Sequence, residues 1–195
     1  ELKEAFLCGK SERTGGYFDY FRGRLIFPII DNFSNVIAFG GRALGDGKPK
    51  YLNTSDTPVF KKSRNLFALN FAKNACAESL ILCEGYMDVV SMHQVGIDTA
   101  VCACGTALTP DQVKLISQYA EEVILSYDSD EAGQKATLRS LELFGNSVGG
   151  VFRRRRRSVF IRIRNKPVLQ MFEDGALKHV CLLYTSPSPR DRSLS

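Results

Sequence analysis

Two short apolar runs, Leu80–Cys83 and Val123–Tyr127, each end in carboxylates and lead at once into a helical pattern. Glu84-Gly85-Tyr86-Met87-Asp88-Val89-Val90 follows the first run and Asp128-Ser129-Asp130-Glu131-Ala132-Gly133 the second. An ionised carboxylate is costly to desolvate without a partner, so acids crowd the ends of buried strands only where something offsets their charge. Strands alternating with helices predict a parallel sheet. Ligands of such sheets sit beyond the carboxyl ends of the strands. Glu84 and Asp128 are expected there.

The rest of the second half fits this period. Thr99–Ala103 reads as a further strand, and Met87–Gln94 as a helix closed near Gly96. Thr109-Pro110-Asp111-Gln112 is a strong helix start, with Thr as N-cap, Pro in the first turn and Gln at the capping-box position. Asp130–Phe144 is expected to be the last helix. Upstream, Leu25–Ile30 and Val36–Phe39 predict a hairpin around the turn Asp31–Asn35, with Pro28 marking an edge or a bulge. Gly40-Gly41 and Gly45-Asp46-Gly47 punctuate an expected loop, and Leu69–Ala77 looks helical. The expected fold class is α/β: a mixed α+β basic subdomain over residues 1–78, then a parallel-sheet α/β subdomain over 79–148.

Charge is divided along the chain. Residues 1–75 carry 12 basic and 7 acidic side chains, and residues 76–150 carry 3 and 11. A net +5 half is thus joined to a net −8 half, which suits one part that meets phosphates and another that holds cations. No apolar run approaches the roughly 18 residues of a membrane span. None of the six cysteines forms a Cys-x2-Cys pair, so neither zinc nor a disulfide framework is expected, and the cytoplasm is the expected compartment. The chain opens on Glu1 rather than Met and is expected to be a fragment.

Hard cations such as Mg²⁺ take oxygen ligands, and two of them about 3.5–4 Å apart can activate a hydroxyl and stabilise a leaving oxygen. Glu84, Asp88, Asp128 and Asp130 are the candidate ligands. Asp88 lies four residues after Glu84, and Asp128 and Asp130 are two apart, on one face if the strand extends that far. A plain structural role is the alternative for two of them. Asp130 could cap its helix, and Asp88 could favour a helix N-terminus electrostatically.

Glu-Gly-Tyr-Met-Asp-Val followed by Asp-x-Asp-x-Ala-Gly resembles the Toprim domain of bacterial DnaG-type primases. Toprim domains also occur in topoisomerases and some nucleases, whose wording around Glu84 is less similar. The resemblance implies that Glu84, Asp88, Asp128 and Asp130 bind Mg²⁺ or Mn²⁺ and form the catalytic centre, with Glu84 a candidate for proton transfer. Gly105-Thr106 matches the family's short Gly-Thr turn. In the basic half, Tyr20-Phe21-Arg22-Gly23-Arg24, Gly40-Gly41-Arg42, Pro49-Lys50-Tyr51-Leu52-Asn53 and Phe60-Lys61-Lys62-Ser63-Arg64 each set a cation beside glycine or an aromatic ring. Such segments can neutralise phosphate and stack on bases. In order and spacing they resemble the basic motifs of the primase catalytic core. Arg42, Lys50 and Lys62 would then contact nucleotide phosphates or template, Arg22 and Arg24 would share that surface, and Tyr51 and Asn53 would be near neighbours. Lys61 beside Lys62 leaves this register open by one residue.

The function implied is synthesis of short RNA primers on single-stranded DNA from ribonucleoside triphosphates during replication. A monomer is expected, with no membrane association. Zinc and the replicative helicase belong to family domains outside this chain. The rivals are a Toprim nuclease or topoisomerase, and a DNA- and metal-binding fragment without turnover. The family's third acidic cluster has no match here; Glu173-Asp174 stands in different surroundings. After Val148 the pattern breaks. Arg153–Arg157 interrupts an apolar frame, and Cys181-Leu182-Leu183-Tyr184-Thr185-Ser186-Pro187-Ser188-Pro189-Arg190-Asp191 looks like the conceptual translation of a sequencing adapter. Residues 149–195 are therefore expected to be a non-native or disordered tail, and no chemistry is assigned to them.

Overall fold

The structure is a computed structural model that describes residues 1–75, 79–147, 160–163 and 180–182. Most of the segment after residue 148, including Arg153–Arg157 and Glu173-Asp174, lies outside the described residues. The elements in order are β1 (Cys8–Lys10), β2 (Tyr17–Asp19), β3 (Arg24–Ile30), β4 (Val36–Ala43), β5 (Tyr51–Asn53), a 3₁₀ turn (Lys62–Arg64), β6 (Leu66–Phe67) and α1 (Leu69–Ala75). The second half adds β7 (Ser79–Cys83), α2 (Tyr86–Gln94), β8 (Ala100–Ala103), α3 (Pro110–Ile116), β9 (Glu122–Ser126), α4 (Glu131–Ser147), β10 (Phe160–Ile163) and β11 (Val180–Leu182).

The first half is antiparallel. β1 and β2 form a ribbon, and β3, β4 and β5 form a sheet in that order. Pro28 sits on β3, an edge strand where a missing N–H is tolerated, and the register shift falls after it, between Ile29 and Ile30. The loop expected at Gly40-Gly41 is not there, because β4 runs straight through to Ala43. These glycines make room for neighbours. A side chain at Gly40 would lie 2.8 Å from the Tyr86 ring, and one at Gly41 would lie 2.8 Å from Phe21. Sequence punctuation read as a turn is here a close approach of another element, which a strand glycine also permits.

The second half is doubly wound around a sheet in the order β11-β10-β9-β7-β8-β6. β7, β8, β9, β10 and β11 pair in parallel. β6 pairs antiparallel with β8, so an edge strand comes from the segment assigned to the basic subdomain. The sheet is mixed rather than purely parallel, and the first half is built into it.

Alternation along the strands settles which helix covers which face. Leu80 and Leu82 of β7 join Val123 and Leu125 of β9, Val113 and Ile116 of α3, and Leu141 and Phe144 of α4 in one buried cluster. Cys83, Ala100 and Cys102 point the other way and pack with Tyr86 and Val89 of α2 and with Phe27 of β3. Both faces are covered, so the strands read as continuous apolar runs. The basic half rests on the α2 face. The Phe27 ring stacks on Tyr86 at 5.3 Å, and Phe67 meets Tyr86 edge-on at 4.9 Å.

α3 begins as its sequence predicts. Gln112 N–H donates to Thr109 Oγ1 (3.2 Å), and Thr109 N–H donates to Gln112 Oε1 (3.0 Å). The same two residues join the halves. Gln112 Nε2 donates to the carbonyls of Lys62 and Asn65, and the Thr109 hydroxyl donates to the carbonyl of Ser63. Among the described residues no helix is long and apolar enough to cross a membrane.

Candidate functional site at the sheet switch point

From β7 the chain passes through α2 to β8 on one side, and then through α3 back across β7 to β9 on the other. β7 and β9 are therefore the adjacent parallel strands from which connections leave in opposite directions, with helices on opposite faces. That is a topological switch point, and the crevice beyond its strand ends is where doubly wound sheets take ligands. In register, Cys83 of β7 lies opposite Ser126 of β9. Glu84 follows the first, and Tyr127-Asp128 follows the second.

The two chain ends are tied together. Asp128 N–H donates to Glu84 Oε2 at 3.0 Å. Side-chain alternation then divides the acids between the two faces. Glu84 continues the Leu80–Leu82 row and lines a cavity on the α4 side with Tyr127, Lys135 and Arg139. Asp128 continues the Ser126 row and lines a second cavity of about 270 Å³ on the α2 side, together with Asp88 and Ser91. Asp88 also accepts Gly85 N–H through Oδ2 (3.0 Å), the role of an acid in the first turn of α2. Desolvation pushes its carboxyl above the ordinary value, the Gly85 bond pulls it down, and the charge of Asp128 pushes it up again. Asp88 and Asp128 thus share a site where two negative charges oppose each other, an arrangement relieved by a cation.

The expected set of four ligands is not assembled. Asp130 accepts Gly133 N–H through Oδ1 at 2.8 Å, which makes it the N-cap of α4. Among the described residues no three His, Cys, Asp or Glu side chains are grouped to hold a metal ion. The donor chemistry still suits Mg²⁺ or Mn²⁺. These are hard cations, and Mg²⁺ usually keeps several waters and takes only one or two carboxylates, the remaining ligands being substrate phosphates. Asp88 and Asp128 meet that requirement, with Glu84 on the neighbouring strand end.

The basic residues divide by role. Arg42 on β4 lies opposite Tyr51 on β5, and its guanidinium stands 6.0 Å from the Tyr51 ring centre. Asn53 is two residues from Tyr51 and shares its face. There its Oδ1 accepts the Tyr86 hydroxyl at 2.9 Å, while its Nδ2 lies where a Gly105 side chain would be, at 1.8 Å. Gly105 adopts φ +74, so both backbone and space require glycine. Asn53 is therefore a strut between β5, the first turn of α2 and the Gly105-Thr106 turn, and it sets the Arg42–Tyr51 strip beside Glu84-Gly85. Burial raises the Tyr86 phenol well above its ordinary value, which keeps that donor protonated.

Arg24 is held inward. Its Nη1 donates to the carbonyls of Pro49 (2.8 Å) and Gly41 (3.3 Å), bracing the hairpin against the loop that carries Lys50. This commits Nη1 to backbone and leaves the Nε and Nη2 donors for the phosphate contact expected of Arg24. Lys61 pairs with Asp56 at 3.7 Å. Arg22, Lys50 and Lys62 make no ion pair among the described residues. Lys135 and Arg139, on the α4 wall, were not singled out in the sequence, although their spacing of four on a helix opened by an acid was a readable signal.

Two family models match the chain: "DNA primase catalytic core, N-terminal domain" over residues 1–73 and "Toprim-like" over residues 81–158. The DNA primase of Clostridium acetobutylicum is 51% identical over 144 residues, covering 73% of this chain and 24% of the relative. That of Deinococcus radiodurans is 44% identical over 162 residues, covering 82% and 28%. The chain spans about a quarter of the length of these relatives. Among solved structures, the E. coli primase catalytic core superposes with a TM-score of 0.74 at 38% identity, covering 85% of this chain and 51% of that one. A DnaG primase catalytic domain bound to ssDNA gives 0.67 at 42% identity, covering 73% and 44%. Both halves of the molecule thus match one group of proteins, and the chain belongs to the bacterial DnaG-type DNA primase family.

Proposed function

We propose that this chain is part of the catalytic core of an enzyme that joins ribonucleotides into short RNA primers on single-stranded DNA. The observation that carries this reading is the Asn53–Tyr86 strut, which sets a basic, aromatic strip against the acidic switch point. A nuclease or topoisomerase must hold a DNA strand beside its acids; a polymerase must hold a triphosphate as well as a template strand, which suits a basic strip with several cations. Arg42, Lys50 and Lys62 would hold phosphates, Arg22 would extend that surface, and the Tyr51 ring would stack on a base or support Arg42. Nucleic-acid binding is further supported by the ssDNA-bound relative.

Asp88 and Asp128 would hold Mg²⁺ or Mn²⁺, with Glu84 adjacent and Asp130 keeping the α4 end in place. When bound, the cation would offset charge on the reacting phosphates. The residues themselves would do the rest. Glu84 has one oxygen fixed on Asp128 N–H, which leaves Oε1 to accept the proton of an attacking 3′-hydroxyl. The new bond joins that O3′ to the α-phosphorus of the next nucleotide, and the bond to pyrophosphate breaks. The cations of the basic strip would steady the charge that develops.

The test is ribonucleotide incorporation on single-stranded DNA with Mg²⁺ or Mn²⁺. It uses this chain and a chimaera in which it replaces the matching segment of the Clostridium acetobutylicum primase. Template-dependent RNA product is expected from the chimaera. DNA cleavage or supercoil relaxation without incorporation would overturn the reading.

A further inference from the structure

On the α4 side of the switch point lies a cavity of about 510 Å³, which shares Tyr127 in its lining with the Asp88–Asp128 site. Its size is that of a small-molecule pocket. Its chemistry is directional. One wall is α4, which presents Lys135 and Arg139 one turn apart and so on one face. The opposite end is Glu84, with the Gly105-Thr106 turn beside it. Between them the floor is apolar: Ala103, Ala107, Ala132 and Ala136. Lys135 engages only Glu131 at the surface, and Arg139 makes no ion pair among the described residues. An exposed Lys–Glu pair is worth little and yields readily to a better anion. A cation pair, an apolar floor and a carboxylate that can accept hydroxyl protons match, in that order, the phosphates, the base or sugar body, and the ribose hydroxyls of one nucleotide.

We propose that this cavity binds the initiating nucleoside triphosphate, with its phosphates on Lys135 and Arg139 and its ribose toward Glu84. The inference rests on the primer-synthesis reading and deepens it. The first bond of a new chain joins two separate nucleotides, so both must be held at once. The basic strip of the first half serves one, and this cavity serves the other. The initiating nucleotide keeps its triphosphate, since its O3′ attacks and the pyrophosphate leaves its partner. Cations distant from the reacting atoms are what such a tail requires.

Two measurements test the proposal. First, the isotopically labelled chain is titrated with ATP and Mg²⁺ and followed by amide NMR. Shifts at Gly105, Thr106 and α4 are expected, with affinity reduced at least tenfold in Lys135→Ala/Arg139→Glu and the cavity shifts kept in Arg42→Glu. An unchanged affinity in the double variant, or shifts confined to the basic half, overturns it. Both replaced side chains are exposed, and a preserved spectrum of the free variant shows that it is folded. Second, in the chimaera the double variant should raise the KM for dinucleotide formation at least tenfold while leaving extension of a preformed RNA primer unchanged. Equal loss in both reactions overturns the assignment to initiation. ATP binding in the cavity without any RNA synthesis would instead count against the function proposed above.

Discussion

Asp128→Ala is expected to lower template-dependent RNA synthesis by at least about 100-fold while leaving the fold in place. Each tenfold step in rate corresponds to about 1.4 kcal/mol, and removing one preorganised charged or polar group at a reacting centre typically costs two or three such steps. Asp128 is well placed for that effect. It is exposed at the end of β9, and the contact it makes to Glu84 uses its backbone N–H rather than its side chain. Truncation therefore removes a charge from the switch point without removing a protein–protein hydrogen bond, and stability should change by no more than about 0.5 kcal/mol. Asp88 reports the loss independently. Its carboxyl is raised first by desolvation and then by Asp128, so Asp128→Ala should lower its pKa part of the way back and not fully. Asp128→Asn, which keeps the shape and drops the charge, should behave like the alanine variant in synthesis. Near-normal product from either variant would remove Asp128 from the catalytic centre.

Gly133→Ala should destabilise the protein by about 1–3 kcal/mol, although the same change in an ordinary helix is stabilising by up to about 1 kcal/mol. Gly133 lies in the first turn of α4, directly above the strand end. An added Cβ would stand 2.1 Å from the Asp128 carbonyl oxygen, 2.8 Å from its carbon and 3.0 Å from its nitrogen. These are backbone atoms and cannot rotate aside. Either α4 shifts outward, which breaks the Asp130–Gly133 cap, or Asp128 is pushed off Glu84. The first costs the packing of Leu141 and Phe144 against Leu80, Leu82, Val123 and Leu125, and the second costs the site. Thermal denaturation should show a lower Tm and the synthesis assay a loss larger than the stability change explains. A raised Tm would show that helix propensity outweighs the close approach and that the strand end is not clamped by α4.

These two residues also mark where the sequence was informative. Asp128 was readable because an apolar run of strand length ends in acid and a helix begins at once, and the parallel sheet those runs imply has one productive edge. Thr109–Gln112 was readable because a capping box is local. Asp130 was legible only as one of two alternatives, since an Asp before a helix has the same spelling as a cap and as a ligand; the 2.8 Å bond from Gly133 N–H shows the cap and uses only Oδ1. Gly40-Gly41 was misread because the Tyr86 and Phe21 rings that need the space are remote in sequence. β6 is only Leu66–Phe67, too short for any periodicity, and exists because β8 offers it an edge. The division of Glu84 and Asp128 between opposite faces follows from strand register, which fixes alternation only once β7 is known to lie beside β9. Asn53 looked like a nucleotide neighbour, and its bond to Tyr86 makes it a strut between the two halves.

The central claim is that the β7–β9 switch point holds a divalent cation between Asp88 and Asp128, and the most direct measurement is the location of bound Mn²⁺ by paramagnetic broadening in amide NMR of this chain. Substoichiometric Mn²⁺ should broaden Gly85, Asp88, Ser126 and Asp128 first, Mg²⁺ should reverse it, and Asp128→Ala should abolish it. Broadening centred elsewhere, or unchanged at these amides in Asp128→Ala, would contradict the account.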